Sequence, residues 1–228
     1  MPIDVAPMLA IFDHDGVLVD SLELHQRSWR ELGRREGLPI TDEFIRETFG
    51  MINPDIFRRL LGDAIDGATI GRFGALKEAC YREVAAGRIA LMDGVRAVLD
   101  RLSAQGVLLA IGSSSVRPNL DLTVRECGLE GRFAAIASLE DIRRGKPDPE
   151  VFLVTAHKAG VAPGRSVVFE DAPVGIMAAK AAGMLAVGVG TTHPLAALDD
   201  AGADLVVKDL VGFDVDALLD RIEARPTS

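Results

Sequence analysis

The chain is predicted to fold as an α/β protein, a doubly wound parallel sheet of Rossmann-like type with an all-helical cap inserted after the first strand. Three observations predict it. Short apolar runs recur along the sequence, and each is followed by a helical pattern. Most of these runs are apolar throughout instead of alternating, as strands covered on both faces are. Between residues 21 and 91 the alternation lapses and no convincing strand is found. The core is therefore assigned to 1–20 and 92–228, and the helical cap to 21–91.

The first predicted strand, 8–12, stops abruptly at Asp13-His14-Asp15-Gly16. The insertion follows, with helical patterns over 22–37 and 70–86, shorter helices between them, and paired linkers near 17–21 and 89–94. Asp20 and Ser21 are expected to cap its first helix. The inserted module is expected to close over the sheet as a lid. Beyond it the predicted elements run in turn: helix 94–105, strand 107–112, helix 118–127, strand 134–137, helix 149–159, strand 166–169, helix 173–182, strands 185–189 and 204–207, and helix 214–223. Gly106, Gly128, Gly160 and Gly183 stand where these helices should stop. Residues 225–228 are predicted to form a frayed tail.

A length of 228 residues allows one large domain or two modest ones, with a sizeable core. The net charge of −9 argues against nucleic acid or an anionic membrane as the main partner, but not against a small anionic substrate in a locally positive pocket. Cys80 and Cys127 have no zinc spacing and make no disulfide framework. They read as reduced thiols of a cytoplasmic protein. No signal-like start and no membrane-length apolar run is recognised.

The chemistry is expected where the strands end. Ligands of a doubly wound sheet bind beyond the carboxyl ends of its strands. Asp13 and Asp15 follow the first strand and lie on one side of the backbone. Two carboxylates so close need a cation, a shared proton or open water. Ser113, Ser114 and Ser115 follow the second strand. Lys146 lies in Arg144-Gly145-Lys146-Pro147-Asp148-Pro149, after the third, and Glu170-Asp171 follow the fourth. Taken singly, these are a turn, a polar loop, a solvated lysine and an acidic helix start. Together, in this order, they can converge on one edge.

The four blocks resemble those of the haloacid dehalogenase-like phosphotransferase superfamily, and most of all its helical-cap subgroup of β-phosphoglucomutases and sugar phosphatases. The resemblance covers nearly the whole chain. It implies that Asp13 attacks phosphorus and that Asp15 is the acid and base. Mg²⁺ would be held by Asp13, the Asp15 carbonyl and Asp171, with Glu170 as an outer or alternate ligand. Ser113 and the Ser114 amide would hold phosphoryl oxygens, and Lys146 would stabilise the transferring group. Asp15 also separates phosphoryl transfer from dehalogenation, which needs no second aspartate there.

Residues of the cap are expected to select the substrate. His25 and Trp29 match the spacing of a histidine and a tryptophan in the mutases. His25 is expected to contact substrate and Trp29 to lie in the cap core. In the mutases a cap arginine grips the phosphate that is not transferred. The stretch here is Gly50-Met51-Ile52-Asn53-Pro54, with Asn53 in that place. Asparagine is a poor substitute for a bidentate guanidinium. Val116-Arg117 replaces a lysine–asparagine pair of the mutases, and Arg117 can still hold a distal anion. Lys77, beside Glu78, is a further candidate for substrate binding, although a solvent-facing ion pair is the plainer reading. His14 is expected to point away from or across the site. The expected activity is thus a monomeric, Mg²⁺-dependent phosphatase of a small phosphomonoester, a sugar phosphate or similar metabolite, working through an aspartyl phosphate. A β-phosphoglucomutase-type mutase is the alternative, and a non-catalytic phosphate-binding protein a more distant one.

Overall fold

The structure is a computed structural model that describes residues 7–48 and 53–225. The chain divides into two compact units, one of Met1–Asp20 with Ala90–Ser228 and one of Ser21–Ile89. The smaller unit ends at Ile89 where 91 was expected. Leu91 bridges antiparallel to Val19, and the Met92 amide donates to the Leu18 carbonyl at 2.9 Å, which ties both residues to the larger unit.

The larger unit is built on a six-stranded parallel sheet, in the order β3-β2-β1-β4-β5-β6. The strands are β1 (Leu9–Phe12), β2 (Leu108–Gly112), β3 (Ala135–Ala137), β4 (Ser166–Glu170), β5 (Leu185–Val189) and β6 (Leu205–Val207). Strand order reverses beside β1, so the crevice of a doubly wound sheet opens between β1 and β4. Their register pairs Phe12 with Phe169, whose rings stack at 4.5 Å. The Asp13 amide adds one more bond, 3.0 Å to the Phe169 carbonyl. The next residues of the two strands, Asp13 and Glu170, are thereby brought side by side.

Burial explains the apolar runs. Every residue of β1, β4 and β5 is buried, and helices α7 (Glu150–Ala159) and α8 (Pro173–Ala181) cover them with Phe152, Ala156, Ile176 and Ala179. Each large side chain so buried contributes about 1.5–3 kcal/mol relative to exposure. Gly112 is needed for this packing, because a Cβ there would lie 2.8 Å from Thr155 Oγ1 and 2.9 Å from Ile11 Cγ2. The remaining helices of this unit are α5 (Val95–Ala104), α6 (Arg117–Glu126), α9 (Leu195–Asp200) and α10 (Val215–Glu223). Helix α9 was not expected; its six residues are too few for a 3.6-residue period to stand out.

Among the described residues, the regular elements of the smaller unit are all helices: α1 (Leu22–Glu36), α2 (Asp42–Glu47), α3 (Asn53–Leu61) and α4 (Gly67–Ala85). Helix α4 starts earlier than its apolar pattern suggests, because Asp66 caps it, accepting from the Thr69 amide at 2.8 Å. Ser21 sits at the N-cap of α1 in a helical conformation, and its side chain makes no capping bond, contrary to expectation. Trp29 lies in the core of this unit, tilted against Phe57, which stacks on Phe73. Of the residues singled out from the sequence, Gly50, Met51, Ile52 and 226–228 lie outside the described residues. Cys80 and Cys127 are buried free thiols. Among the described residues, no helix is long and apolar enough to cross a membrane.

Phe57→Ala is expected to destabilise the smaller unit by about 3–5 kcal/mol. Hydrogen exchange should then accelerate in α1–α4 while amides of β1 and β4 keep their protection; equal loss in both units would contradict two separate cores.

Candidate active site

Asp13, Glu170 and Asp171 offer three carboxylate oxygens within 4.8 Å of one another, and all three residues are buried. Lys146 reaches into this group from the loop before α7. Its Nζ lies 3.0 Å from Asp13 Oδ1 and 2.5 Å from Glu170 Oε1, and 5.1 Å from the centre of the Phe152 ring. The other oxygen of Glu170 accepts from the Ala172 amide at 2.7 Å.

Two glycines leave the space these acids occupy. A Cβ on Gly175 would fall 1.8 Å from Glu170 Oε1. A Cβ on Gly16 would fall 2.1 Å from Asp171 Oδ2, and its φ of +76° is also unfavourable for any other residue. The loop after β5 packs against Gly16 and Asp171. The Thr192 hydroxyl donates to Asp171 Oδ2, the Thr191 hydroxyl donates to the Gly16 carbonyl at 2.5 Å, and His193 Nδ1 lies 3.0 Å from the Asp171 carbonyl.

The charges do not balance. Three carboxylates face one ammonium, and two negative charges remain when all are ionised. Burial therefore raises the Asp13 carboxyl above its ordinary range, Glu170 and Asp15 adding to the effect against the pull of Lys146. Burial likewise raises Asp171, with Glu170 and Asp13 reinforcing it. Lys146 moves the other way for a cation: burial disfavours its charge, but Asp13 and Glu170 outweigh that and hold it protonated. A buried set of hard oxygen donors with an excess of two negative charges fits a divalent cation of the Mg²⁺ type.

Asp15 stands outside this cluster. Its side chain is 33% exposed, against 10% for Asp13. Ser115 Oγ donates to Asp15 Oδ2 at 2.7 Å. Ser113 is buried, its Oγ accepting from the Ser115 amide at 3.2 Å and its own amide donating to Ala137 at 3.1 Å. Ser114, between them, is partly exposed. The His14 ring is fully buried; Nε2 lies 2.7 Å from Thr123 Oγ1 and Nδ1 lies 3.1 Å from Asp15 Oδ1. Burial disfavours its cation, yet the Asp15 and Asp13 carboxylates raise it above its ordinary value.

Arg117 is not gathered into this group. Its Nε donates to Asp121 on the same helix at 2.7 Å, an exposed pair one turn apart. The sequence reasoning placed Ser115 at a strand end without a role and passed over Thr191, Thr192, Gly175 and Thr123. The threonines directly follow β5 and were open to the same strand-end argument that found the acids. Thr123 is in a helix interior, and nothing in the pattern marks it.

A second polar cluster lies inside the smaller unit. Lys77 is buried, not solvent-facing as expected. Its Nζ lies 2.9 Å from His25 Nδ1 and 2.9 Å from Glu78 Oε1, above the Trp29 and Tyr81 rings. The aromatic core of the unit draws the long aliphatic stem inward, and the carboxylate compensates its charge. Asn53 Nδ2 donates to the same Glu78 oxygen at 2.8 Å, and His25 stacks on Tyr81 at 4.3 Å. Burial opposes ionisation of Glu78, but Lys77 and Asn53 prevail and lower it.

Comparison with known proteins agrees with this architecture. Residues 10–189 match the family model described as haloacid dehalogenase-like hydrolase. Validoxylamine A 7'-phosphate phosphatase of Streptomyces hygroscopicus subsp. limoneus is 32% identical over 89% of this chain and 93% of its own length. β-Phosphoglucomutase of Bacillus subtilis is 30% identical over 87% of this chain and 88% of its own. The crystal structure of CbbY from Rhodobacter sphaeroides in complex with phosphate superposes with a TM-score of 0.83 at 26% identity, covering 94% of this chain and 99% of that one.

The raised carboxyls fix the sign of a stability effect. In the folded, cation-free protein Asp13 and Asp171 hold protons above their ordinary range, so their burden on folding is absent at low pH and grows as pH rises past about 4. Asp171→Asn removes this burden at one of the two sites. Without divalent cation at neutral pH it is expected to raise the melting temperature by about 2–4 °C, the shift that about 1 kcal/mol produces at this size. Excess Mg²⁺ should reverse the order by stabilising only the parent protein, and a melting temperature unmoved by the substitution at every pH would contradict the charge imbalance.

Proposed function

The chain belongs to the haloacid dehalogenase-like hydrolase family, and on that premise we propose that it is a Mg²⁺-dependent phosphatase hydrolysing a small phosphomonoester, a sugar phosphate or similar metabolite. The observation that carries the reading is the unlike surroundings of two aspartates two residues apart. Asp13 is buried against Lys146 and the acidic cluster; Asp15 is more exposed and held by a neutral hydroxyl. Environments that separate two carboxyls separate their chemical roles.

Asp13 is the nucleophile. Its carboxylate attacks phosphorus, the bond from phosphorus to the leaving oxygen breaks, and Asp15 gives that oxygen its proton. An aspartyl phosphate is left on Asp13. Asp15, now ionised, takes a proton from the water that attacks this intermediate, which releases phosphate and restores both aspartates. Lys146 keeps Asp13 oriented and opposes the negative charge that gathers on the phosphoryl oxygens. Ser113 and the Ser114 amide, at the end of β2, hold those oxygens. Asp13, the Asp15 carbonyl and Asp171, with Glu170 beside them, would hold Mg²⁺, which when bound supplies charge neutralisation for the anionic substrate.

Substrate choice is assigned to His25, Asn53 and Lys77. Asn53 spends its amide on Glu78 and offers no charge for a second phosphate, which supports a phosphatase over a mutase. Arg117 already meets the Asp121 carboxylate through Nε, which offsets the charge it could offer a distal anion. A protein that acts on one phosphate and one alcohol needs neither contact.

Asp13→Asn is expected to lower phosphate release from p-nitrophenyl phosphate to background and to abolish the trapped phosphoenzyme; near-parental turnover would refute the nucleophile. Asp15→Asn should lower kcat by about 10²–10⁴, the range for general acid–base catalysis. Offered β-glucose 1-phosphate with a bisphosphate primer, the protein should release inorganic phosphate. Accumulation of glucose 6-phosphate without phosphate release would establish the mutase instead, and phosphate binding without turnover of any phosphoester a binding protein.

A further inference from the structure

His14 occupies the position between the two aspartates, and the mechanism leaves it without a task. It lies in the turn that follows β1, and its ring is fully buried. An apolar side chain would fill such a place at no polar cost, whereas a buried imidazole must find partners. Both nitrogens meet polar groups. Nε2 lies 2.7 Å from the hydroxyl of Thr123, itself fully buried in α6, and Nδ1 lies 3.1 Å from Asp15 Oδ1. The Nδ1 contact is a close approach without the alignment of a regular hydrogen bond, and Nδ1 has no other partner.

We propose that His14, anchored by Thr123, is a positioning residue that sets the direction of the Asp15 carboxylate for its proton transfers. The inference rests on the reading of Asp15 as general acid and base. With the Thr123 hydroxyl donating to Nε2, the ring proton rests on Nδ1, the nitrogen that lies 3.1 Å from Asp15 Oδ1. Ser115 holds Oδ2 from the other side at 2.7 Å. The carboxylate is thus restrained through both oxygens, one by the loop after β2 and one by a ring fixed to the helix that follows that loop. A residue directly before a sharp glycine turn would otherwise sample several rotamers, and misdirection of a proton donor by about 1 Å is costly in rate. The turn itself is tight, with the Leu18 and Val19 amides both donating to the His14 carbonyl at 3.0 and 3.1 Å.

The role predicts a loss that depends on the leaving group. The kcat/KM of a phosphatase that forms a phosphoenzyme reports the steps through departure of the leaving oxygen. An alkyl oxygen needs the proton of Asp15, whereas p-nitrophenolate departs without it. The experiment compares kcat/KM for glycerol 1-phosphate, or the best alkyl phosphate of a panel, with that for p-nitrophenyl phosphate. Asp15→Asn sets the scale and should lower the alkyl-to-aryl ratio by about a hundredfold, within the range for general acid catalysis. His14→Leu should lower the same ratio by about tenfold, and Thr123→Val, isosteric and without a hydroxyl, by about threefold. His14→Asn, whose amide N–H can stand where Nδ1–H stood, should recover most of the ratio. Thr123→Val and His14→Asn preserve volume or polarity, so they decide the matter even if His14→Leu does not fold. Equal losses on both substrates, or no loss, would reduce His14 to packing and overturn the inference while leaving Asp15 as the acid. An unchanged ratio in Asp15→Asn would overturn the reading of Asp15 and the inference with it.

Discussion

Crowding of negative charge at the ends of β1 and β4 is the constraint on which the site depends. Asp13, Glu170 and Asp171 are buried around the single ammonium of Lys146. Like charges in a low-dielectric place repel strongly. Each feature around them lessens or uses that repulsion. Lys146 contacts two of the acids, the Ala172 amide serves Glu170, and the Thr192 hydroxyl serves Asp171. Gly16 and Gly175 keep the backbone close enough for the acids to meet. The unbalanced charge that remains favours a divalent cation and, beside it, an anionic phosphoryl group.

The same strand ends separate the roles of two acids that are nearly adjacent in sequence. Register with β4 holds Asp13 in the ladder through its amide and beside Glu170. One residue later the chain turns, and by Asp15 it has left the cluster. A hydroxyl from the loop after β2 and the His14 ring meet it there. The separation is thus a property of where the strand ends and the Gly16 turn begins. Chemistry that needs a nucleophile and a distinct proton carrier follows directly from it.

The smaller unit answers to a different balance. Its core is aromatic, Trp29, Phe57 and Phe73 with Tyr81 alongside. Lys77 lies buried among these rings with its charge met by Glu78 and its remaining contacts by His25. A buried lysine of this kind is stable only with its partners, so the cluster is preorganised. Read from the sequence, Lys77 beside Glu78 inside a helix made a solvent-facing ion pair. Neighbours in sequence report one helix alone, and α1 and α3 both contribute to what surrounds this pair.

Much of the larger unit was legible because its causes are local. Strands apolar from end to end, such as 8–12, mean burial on both faces, and glycines after helices mean stops. The abrupt change from Phe12 to Asp13 marks a strand end whatever surrounds it. The four blocks carrying Asp13, Ser113, Lys146 and Glu170 were found because one rule, that ligands lie beyond carboxyl strand ends, applies to each separately. Thr192 obeys the rule but carries no charge to draw attention, and α9 is too short for its period to show.

The sequence by itself determined the strand and helix alternation, the inserted helical segment and the residue types available for phosphoryl chemistry, since backbone propensity, burial pattern and charge are properties of short stretches. Only the tertiary structure decided which of those residues meet. The approach of Thr123 to His14, of Thr192 to Asp171 and of Lys77 to His25 spans 109, 21 and 52 positions of chain. Such contacts depend on crossover geometry and core packing, and no local pattern encodes them.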